Sequence, residues 1–474
     1  MIFRFFIDKI QENFAFNLTE DQHLALGKIT DFLFSKDNDR IFLLKGYAGT
    51  GKSSLIGSLV KTMNQMNQKT VLLAPTGRAA KVFSGYANQT ALTIHKKIYR
   101  QKHFSEEGAV FSLSDNLHKH TLFIVDEASM ISNDTDYVAI FGSGRLLNDL
   151  IRYVYSGEGC RLLLIGDTAQ LPPVKQEYSP ALNVDILNSY SLNTTEFTLT
   201  EIVRQAEESG ILHNATLLRN ALRAGDTIQL PKLKLSGFKD ILSISGTDLI
   251  EAIADAYHRD GIEETMVIAR SNKRVNAYNN GIRNRVLYRD EELSTGDLLM
   301  ITKNNYFWTN DYDDLDYLAN GELVEVLRIR KYEEMYGFRF CSALLNHKEY
   351  DIEFEAMINL DCLHTEVPGL TREQNDALFN AVMEDYAHIS RKRERYKNIR
   401  KNPYFNALQV KYGYAVTCHK AQGGEWQNVF LDIGYVHSSF MGDNFYRWLY
   451  TSITRSSKML FLVNLPKDFI ALSD

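Results

Sequence analysis

The chain has 474 residues, 45% hydrophobic and 24% charged, with a formal net charge of −6 and a pI near 6.1. That is an ordinary soluble globular composition with chain enough for about three domains; no apolar run approaches the ~20 residues of a membrane span, and Cys160, Cys341, Cys362 and Cys418, with no CxxC pair, support neither a disulfide framework nor a zinc site and suit a reducing cytoplasm. The acidic balance mildly opposes nucleic acid as a partner, so any such binding needs a local basic groove.

In chain order, Met1 to Ile10 is apolar but carries Arg4, Asp8 and Lys9, and no small-residue cleavage site follows, so a secretory leader is not expected. Arg40-Ile41-Phe42-Leu43-Leu44 is too short for a helix and is bounded by turn residues; it reads as a buried strand. It runs into Gly46-Tyr47-Ala48-Gly49-Thr50-Gly51-Lys52-Ser53, which matches GxxxxGK[ST] at every fixed position, and Ser54 to Met63 reads as a helix. Strand, glycine loop and helix are the context a phosphate-binding loop requires. Glycines let backbone N–H groups curl around phosphate without a Cβ in the way, and the helix N-terminus adds positive potential. Lys52 can reach the β- and γ-phosphates and the Ser53 hydroxyl can ligate Mg²⁺. The alternative, a chance glycine-rich turn, has odds of roughly one in a hundred at ordinary glycine usage.

Between Tyr99 and His120, the segment from Gln101 to Phe111 reads either as a small hairpin or as a solvent loop with Phe104 and Phe111 packed. Thr121-Leu122-Phe123-Ile124-Val125 is a second apolar strand, ending in Asp126-Glu127. Acids at the C-terminal end of a buried parallel strand lie where open α/β sheets bind ligands. Asp126 suits Mg²⁺ and Glu127 a general base that polarises water; the pair also fits a helix N-cap with a first-turn acid, and the phosphate loop favours the catalytic reading. Arg161-Leu162-Leu163-Leu164-Ile165 is a third strand, followed by Gly166-Asp167-Thr168-Ala169-Gln170-Leu171-Pro172-Pro173-Val174. There Gln170 is either a γ-phosphate sensor or an ordinary loop glutamine, on a segment that the tandem prolines stiffen.

Further on, Asp297-Leu298-Leu299-Met300-Ile301 opens a stretch of short alternating runs, including Glu322-Leu323-Val324-Glu325-Val326 and Gly337-Phe338-Arg339-Phe340, that reads as a small antiparallel barrel. Thr371 to Arg400 looks helical. It ends in a run from Arg391 to Lys401 with seven basic residues and one acid, either a solvated face or a nucleic-acid contact. Asn310 to Asp316 is acidic and reads as a loop without functional assignment.

The three strand ends resemble helicase superfamily one, above all its 5′-to-3′ RecD-like and Dda-like subgroup. Asp126-Glu127-Ala128-Ser129-Met130 looks like motif II, Gly166 to Val174 like motif III, and Leu18-Thr19-Glu20-Asp21-Gln22 like the adenine-reading Q motif. Ala74-Pro75-Thr76-Gly77-Arg78-Ala79-Ala80 resembles motif Ia, with Thr93-Ile94-His95 as the short DNA-contacting element after it. Leu199 to Gln205 is similar to motif IV, Tyr412 to Trp426 to motif V, and Tyr450-Thr451-Ser452-Ile453-Thr454-Arg455 to motif VI; Ala269 to Lys273 and Asn276 also fit. The motifs run in family order from about residue 17 to 463.

The resemblance implies an α/β fold of two RecA-like P-loop NTPase domains, parallel sheets flanked by helices. Residues 1–98 and 120–180 would form the first, with a hairpin insert at 99–119 serving as a strand-separating pin through Phe104 or Phe111. Residues 181–295 and 411–474 would form the second, with an SH3-like β insert and the basic helical segment at 296–410. It implies an ATP-dependent DNA helicase that moves 5′-to-3′ on single-stranded DNA and unwinds duplex, using ATP and Mg²⁺. Lys52, Glu127, Gln170, Arg204 and Arg455 would be catalytic, the two arginines as fingers on the second lobe. Gln22, Gly46, Gly49, Thr50, Gly51, Lys52, Ser53, Ser54 and Glu425 would bind nucleotide, Ser53 and Asp126 the metal, and Thr76, Arg78, Thr93, His95, Thr417 and His419 the DNA. Partners would be single-stranded DNA and single-strand/duplex junctions, with no membrane and a monomeric motor. The competing readings are an ATP-gated single-stranded DNA clamp or remodeller, and another P-loop NTPase without unwinding.

Overall fold

The structure, a computed structural model, describes residues 2–105, 108–134, 141–203, 208–309, 312, 317–367, 369–436 and 441–471, the side chains of residues 2 and 101–110 excepted. Its contacts define two compact units, Met1–Ile244 with Ala421–Asp474, and Ser245–Lys420.

In the first unit, helices α1 (Ile2–Asn13) and α2 (Glu20–Phe34) precede strand β1 (Arg40–Gly46), α3 (Lys52–Gln65), β2 (Lys69–Ala74), α4 (Gly77–Ala87), β3 (Ala91–Thr93) and α5 (Ile94–Ile98). Then come β4 (Tyr99–Ser105), β5 (Gly108–Leu113), β6 (Thr121–Val125), α6 (Leu146–Tyr155), β7 (Arg161–Gly166), α7 (Val184–Asn188), β8 (Asn193–Leu199), α8 (Gly210–Ala224) and β9 (Ile241–Ile244). Six strands make a parallel sheet in the order β3-β2-β6-β7-β1-β8. All five β6 residues are buried, as are Ile41 to Leu44 and Leu162 to Gly166. A strand covered on both faces has no polar side to show, and so its sequence is a continuous apolar run.

The first 16 residues, silent in the sequence, make an amphipathic cover. Phe6, Ile10 and Phe14 enter the core beside Leu59 and Phe32, while Phe3 and Phe5 stay exposed. β4 and β5 pair antiparallel, so the hairpin alternative holds. Phe111 is 8% exposed and stacks on Phe141 with centroids 4.7 Å apart; it is a packing residue at the hairpin's root and not a wedge. The side chain of Phe104 lies outside the described residues.

The second unit opens with α9 (Leu249–Asp260), β10 (Thr265–Ala269) and α10 (Asn272–Arg285). A closed barrel follows: β11 (Leu298–Ile301), β12 (Leu323–Met335), β13 (Phe338–His347), β14 (Ile352–Asn359) and β15 (Leu408–Tyr412). The expected all-antiparallel pattern fails at one seam, where β14 and β15 run parallel. The chain leaves the barrel after β14 and returns through α11 (Arg372–Asp385) and α12 (Lys392–Ile399), and such a crossover brings a strand back in the same direction. The helix expected from Thr371 to Arg400 is therefore two, packed through Leu378, Val382 and Ile399 on Phe338 and Phe340. The acidic loop 310–316, Tyr312 apart, lies outside the described residues. β16 (Ala415–Thr417) pairs parallel with β10, and α13 (Cys418–Ala421) follows.

Back in the first unit, β17 (Trp426–Asp432) pairs parallel with β18 (Ser456–Val463), and β18 with β9. Helix α14 (Asp443–Ile453) connects β17 to β18. No helix among the described residues is long and apolar enough to cross a membrane.

Candidate functional site

The phosphate loop sits at the C-terminal end of β1, where parallel sheets offer ligand sites. Gly49 and Gly51 have φ of 76° and 74°, left-handed values that side chains resist. A Cβ on Gly51 would also come within 2.5 Å of the Gln22 Nε2. Lys52 opens α3 and its ammonium donates to the carbonyls of Gly46 and of Tyr47, the latter at 2.8 Å, folding back over the loop. Gln22 is fully buried at N3 of α2. Its Oε1 accepts the Thr19 N–H at 3.0 Å, closing a capping box, while its Nε2 donates to the Thr50 carbonyl at 2.9 Å. One side chain thus caps a helix and braces the loop.

At the end of β6, Asp126 accepts from the Tyr86 hydroxyl and, through Oδ1, from the Glu127 N–H at 2.8 Å. Burial, and then the charge of Glu127, raise the Asp126 pKa. Burial likewise raises that of Tyr86, whose hydroxyl also meets Ser53. A hydroxyl from Ser53 and a carboxylate from Asp126, tied to the same phenol, are hard oxygen donors of the kind Mg²⁺ takes with phosphate oxygens. Glu127 is in the left-handed region, φ 51°, and its Oε1 lies 3.5 Å from Arg455 Nη1. Arg455 is 6% exposed; it donates to the carbonyls of Thr451 and Gly424, each at 3.1 Å.

At the end of β7, Asp167 is buried; burial raises its pKa and the Lys52 charge opposes that rise. Gln170 is buried, with an Oε1 that meets no partner among the described residues. Helix α14 is stitched to this loop. Tyr450 donates to Asp167 Oδ2 at 2.6 Å, Thr451 Oγ1 accepts the Leu171 N–H at 2.9 Å, and Arg447 donates to the Thr168 carbonyl. Gln422 Nε2 adds a bond to the Leu171 carbonyl at 2.8 Å. These contacts converge phosphate loop, Gln22, Glu127, Gln170 and Arg455 in one region of the first unit. Arg204 lies outside the described residues. Glu425 is exposed, between Gly424 and Trp426.

Of the residues expected on DNA, Thr76 and Thr93 cap α4 and α5, accepting from Ala79 and Lys96 N–H at 3.2 and 3.1 Å. The Arg78 guanidinium lies 4.6 Å from the Trp426 ring. His95 packs beside Phe141 and Tyr99, centroids 4.9 and 5.7 Å away, and burial holds its pKa down to about 4. In the second unit, Thr417 ends β16 and His419 sits in α13 with its pKa lowered by burial. Tyr86, Asp167 and Tyr450 join the site although the sequence singled none of them out, and the latter two stood inside quoted motifs.

A glycine loop, two strand-end acids, a buried glutamine and a buried arginine make a P-loop nucleotide-binding site. An AAA domain profile matches residues 17–238, and a UvrD-like helicase C-terminal domain profile matches 412–463. The chain is 23% identical to the ATP-dependent DNA helicase dda of Enterobacteria phage T4, over 94% of this chain and 99% of that one. It is 24% identical to the ATP-dependent RecD2 DNA helicase of Deinococcus radiodurans, over 94% of this chain and 48% of that one. It spans 38% of another curated relative, from Methanocaldococcus jannaschii. A solved Pif1 helicase from Bacteroides, in complex with ADP-AlF3 and ssDNA, is 14% identical with a TM-score of 0.48, over 97% of this chain and 95% of that one. The chain is thus similar, along nearly its whole length, to DNA helicases of the RecD-like and Dda-like kind, and its fold is α/β with parallel sheets flanked by helices.

Proposed function

We propose that the protein is an ATP-dependent DNA helicase that moves 5′-to-3′ along single-stranded DNA and unwinds duplex at junctions. The observation that carries this reading is the placement of Arg455 beside Glu127 at the phosphate loop. Phosphoryl transfer needs positive charge near the γ-phosphate as negative charge develops there. Lys52 supplies it from the loop and Arg455 from the motif VI segment, with Arg204 as a second finger. Glu127 takes the proton of the attacking water and Gln170, whose Oε1 is uncommitted, orients that water. Ser53 and Asp126 would hold Mg²⁺, which would supply positive charge against that of the phosphates. Gln22 reads adenine, Glu425 the ribose, and the loop from Gly46 through Gly49, Thr50 and Gly51 to Ser54 cradles phosphate.

On this reading the first RecA-like domain runs on past the expected residue 180 to include β8, which pairs with β1: residues 1–98 with 120–199, and 200–295 with 411–474 for the second, carrying inserts at 99–119 and 296–410. Loss of the terminal phosphate releases the arginines, and the alternation becomes a step along the strand. Thr76, Arg78, Thr93, His95, Thr417 and His419 bind the strand. Neutral threonine and histidine contacts suit a track that is released at every step and tolerate the net charge of −6. The motor works as a cytoplasmic monomer.

The test is ATP hydrolysis with and without single-stranded DNA, followed by unwinding of duplexes bearing a 5′ or a 3′ tail. Stimulated hydrolysis and unwinding of the 5′-tailed substrate are expected. Stimulation without unwinding of either substrate makes the protein a clamp, and hydrolysis indifferent to DNA makes it another P-loop NTPase.

A further inference from the structure

Tyr47 and Ala48 form the first turn of the phosphate loop, and two helices grip them from outside. From α8, the Arg219 guanidinium lies 4.8 Å from the Tyr47 ring centroid. Arg219 is buried; its Nε and Nη2 donate to Asn220 Oδ1 at 3.3 and 3.2 Å, while its Nη1 has no hydrogen-bond partner among the described residues. From α14, the Tyr450 hydroxyl accepts the Ala48 N–H at 2.9 Å and donates to Asp167 Oδ2 at 2.6 Å. Tyr450 is 1% exposed, Ala48 belongs to the phosphate loop, and Asp167 ends β7.

The direction of this chain is fixed. A carboxylate only accepts, so Asp167 takes the phenolic proton, and the phenol oxygen then turns a lone pair to Ala48. Asp167 itself is set by the Ala169 N–H on its other oxygen, at 2.8 Å. Each link polarises the next, and Tyr450 and Asp167 are buried. The result is a rigid connection from the phosphate loop, through α14, to the motif III loop. Arg455 follows α14 by two residues, and its Nε is bonded to the Thr451 carbonyl, the residue after Tyr450.

We propose that Tyr450 is a positioning residue for hydrolysis: by holding the Ala48 amide and the Asp167 carboxylate together, it fixes the register between the phosphate loop and the segment that carries Arg455. The ring fills the core; the hydroxyl sets the geometry. This rests on the ATPase reading above, and the two fail separately. An absence of DNA-stimulated hydrolysis in the wild type removes the reading, whereas the Tyr450 variants are judged against a wild type that hydrolyses.

The experiment uses the full chain with Tyr450→Phe, Asp167→Asn and the double variant, each assayed for thermal melting, affinity for fluorescent ADP with Mg²⁺, and DNA-stimulated kcat and KM. Tyr450→Phe keeps the packing and strands the Ala48 amide and a buried carboxylate, so kcat falls about tenfold or more while ADP affinity stays within about twofold. Asp167→Asn, whose amide oxygen still accepts the phenolic proton, gives a smaller fall in kcat with the same sparing of ADP affinity. The double variant is no slower than Tyr450→Phe, because both changes break one connection. A Tyr450→Phe protein with kcat within about twofold of wild type overturns the proposal, and so does a double variant whose losses multiply. If Tyr450→Phe fails to fold, Asp167→Asn decides: an unchanged kcat overturns the proposal and a lowered kcat at unchanged ADP affinity supports it.

Discussion

Arg455 Nη1 lies 3.5 Å from Glu127 Oε1, bringing a motif VI cation against a motif II carboxylate while neither residue is exposed. The contact is long for an ion pair, and Arg455 is held chiefly by the Thr451 and Gly424 carbonyls. Its guanidinium is thus oriented without being consumed by Glu127. Arg455→Ala is expected to lower DNA-stimulated kcat about a thousandfold, the scale on which arginine fingers act, with ADP affinity little changed. Glu127→Gln, which keeps the shape and removes the carboxylate, should give a similar kcat loss if Glu127 is the proposed base. Steady-state hydrolysis with titration of labelled ADP checks both; a normal kcat in Arg455→Ala removes the finger role.

Gln22 has two jobs that substitution can separate. Gln22→Glu keeps an oxygen for the Thr19 N–H, so the capping box of α2 survives, but it removes the donor to the Thr50 carbonyl. Gln22→Ala removes both. The glutamate variant sets two acceptor oxygens against each other at a fully buried site, so it should melt below wild type despite the intact cap and show a raised KM for ATP. The alanine variant should lose about 1 kcal/mol of stability with its cap. Equal melting of all three proteins would show that the box contributes nothing to the fold.

What could be read beforehand, and what could not, follows from how far each signal reaches along the chain. The buried strands β1, β6 and β7 were legible because a strand covered on both faces writes an unbroken apolar run. The phosphate loop was legible because φ near +75° at Gly49 and Gly51 confines those positions to glycine. Tyr450 was not, since its partners Ala48 and Asp167 lie far off in sequence and no local pattern encodes the meeting. α1 was missed for a related reason: Phe6 and Ile10 make sense only against α2 and α3. The parallel β14–β15 seam was missed because alternation marks a strand and is blind to its direction.

His95 packs beside Phe141 and Tyr99, and burial holds its pKa near 4, below the usual 6.5. The folded form is therefore neutral where the unfolded chain already takes up a proton. The unfolded state binds more protons between pH 6.5 and 4, so stability falls as pH drops through that window and is insensitive to this group above it. Wild type should lose melting temperature on acidification from pH 6.5 toward 4 more steeply than His95→Phe, which has nothing to protonate. Parallel melting curves for the two proteins would mean that the ring stays solvated.

The second unit depends on a buried charge. Asp297 is fully buried at the start of the barrel, and accepts from Arg283 at 3.0 and 2.9 Å and from Arg289 at 2.9 Å. It also accepts from the Tyr414 hydroxyl at 3.0 Å and the Ser294 N–H at 2.7 Å. Arg283 is itself 3% exposed and packs 4.4 Å from the Tyr412 ring. Such an arrangement is not a large net source of stability, because desolvating the charges cancels much of their attraction; removing one partner is costly because the others stay buried. Asp297→Ala strands two guanidiniums and should cost about 3–5 kcal/mol. Arg289→Ala, taking away the more exposed arginine, should cost clearly less. The unit carries none of the phosphate-loop residues, so ADP affinity at low temperature should survive Asp297→Ala while a melting transition moves down. Denaturant titration of the two variants, followed alongside ADP binding, checks the order; an Asp297→Ala protein as stable as wild type would mean that water reaches the arginines and replaces the carboxylate.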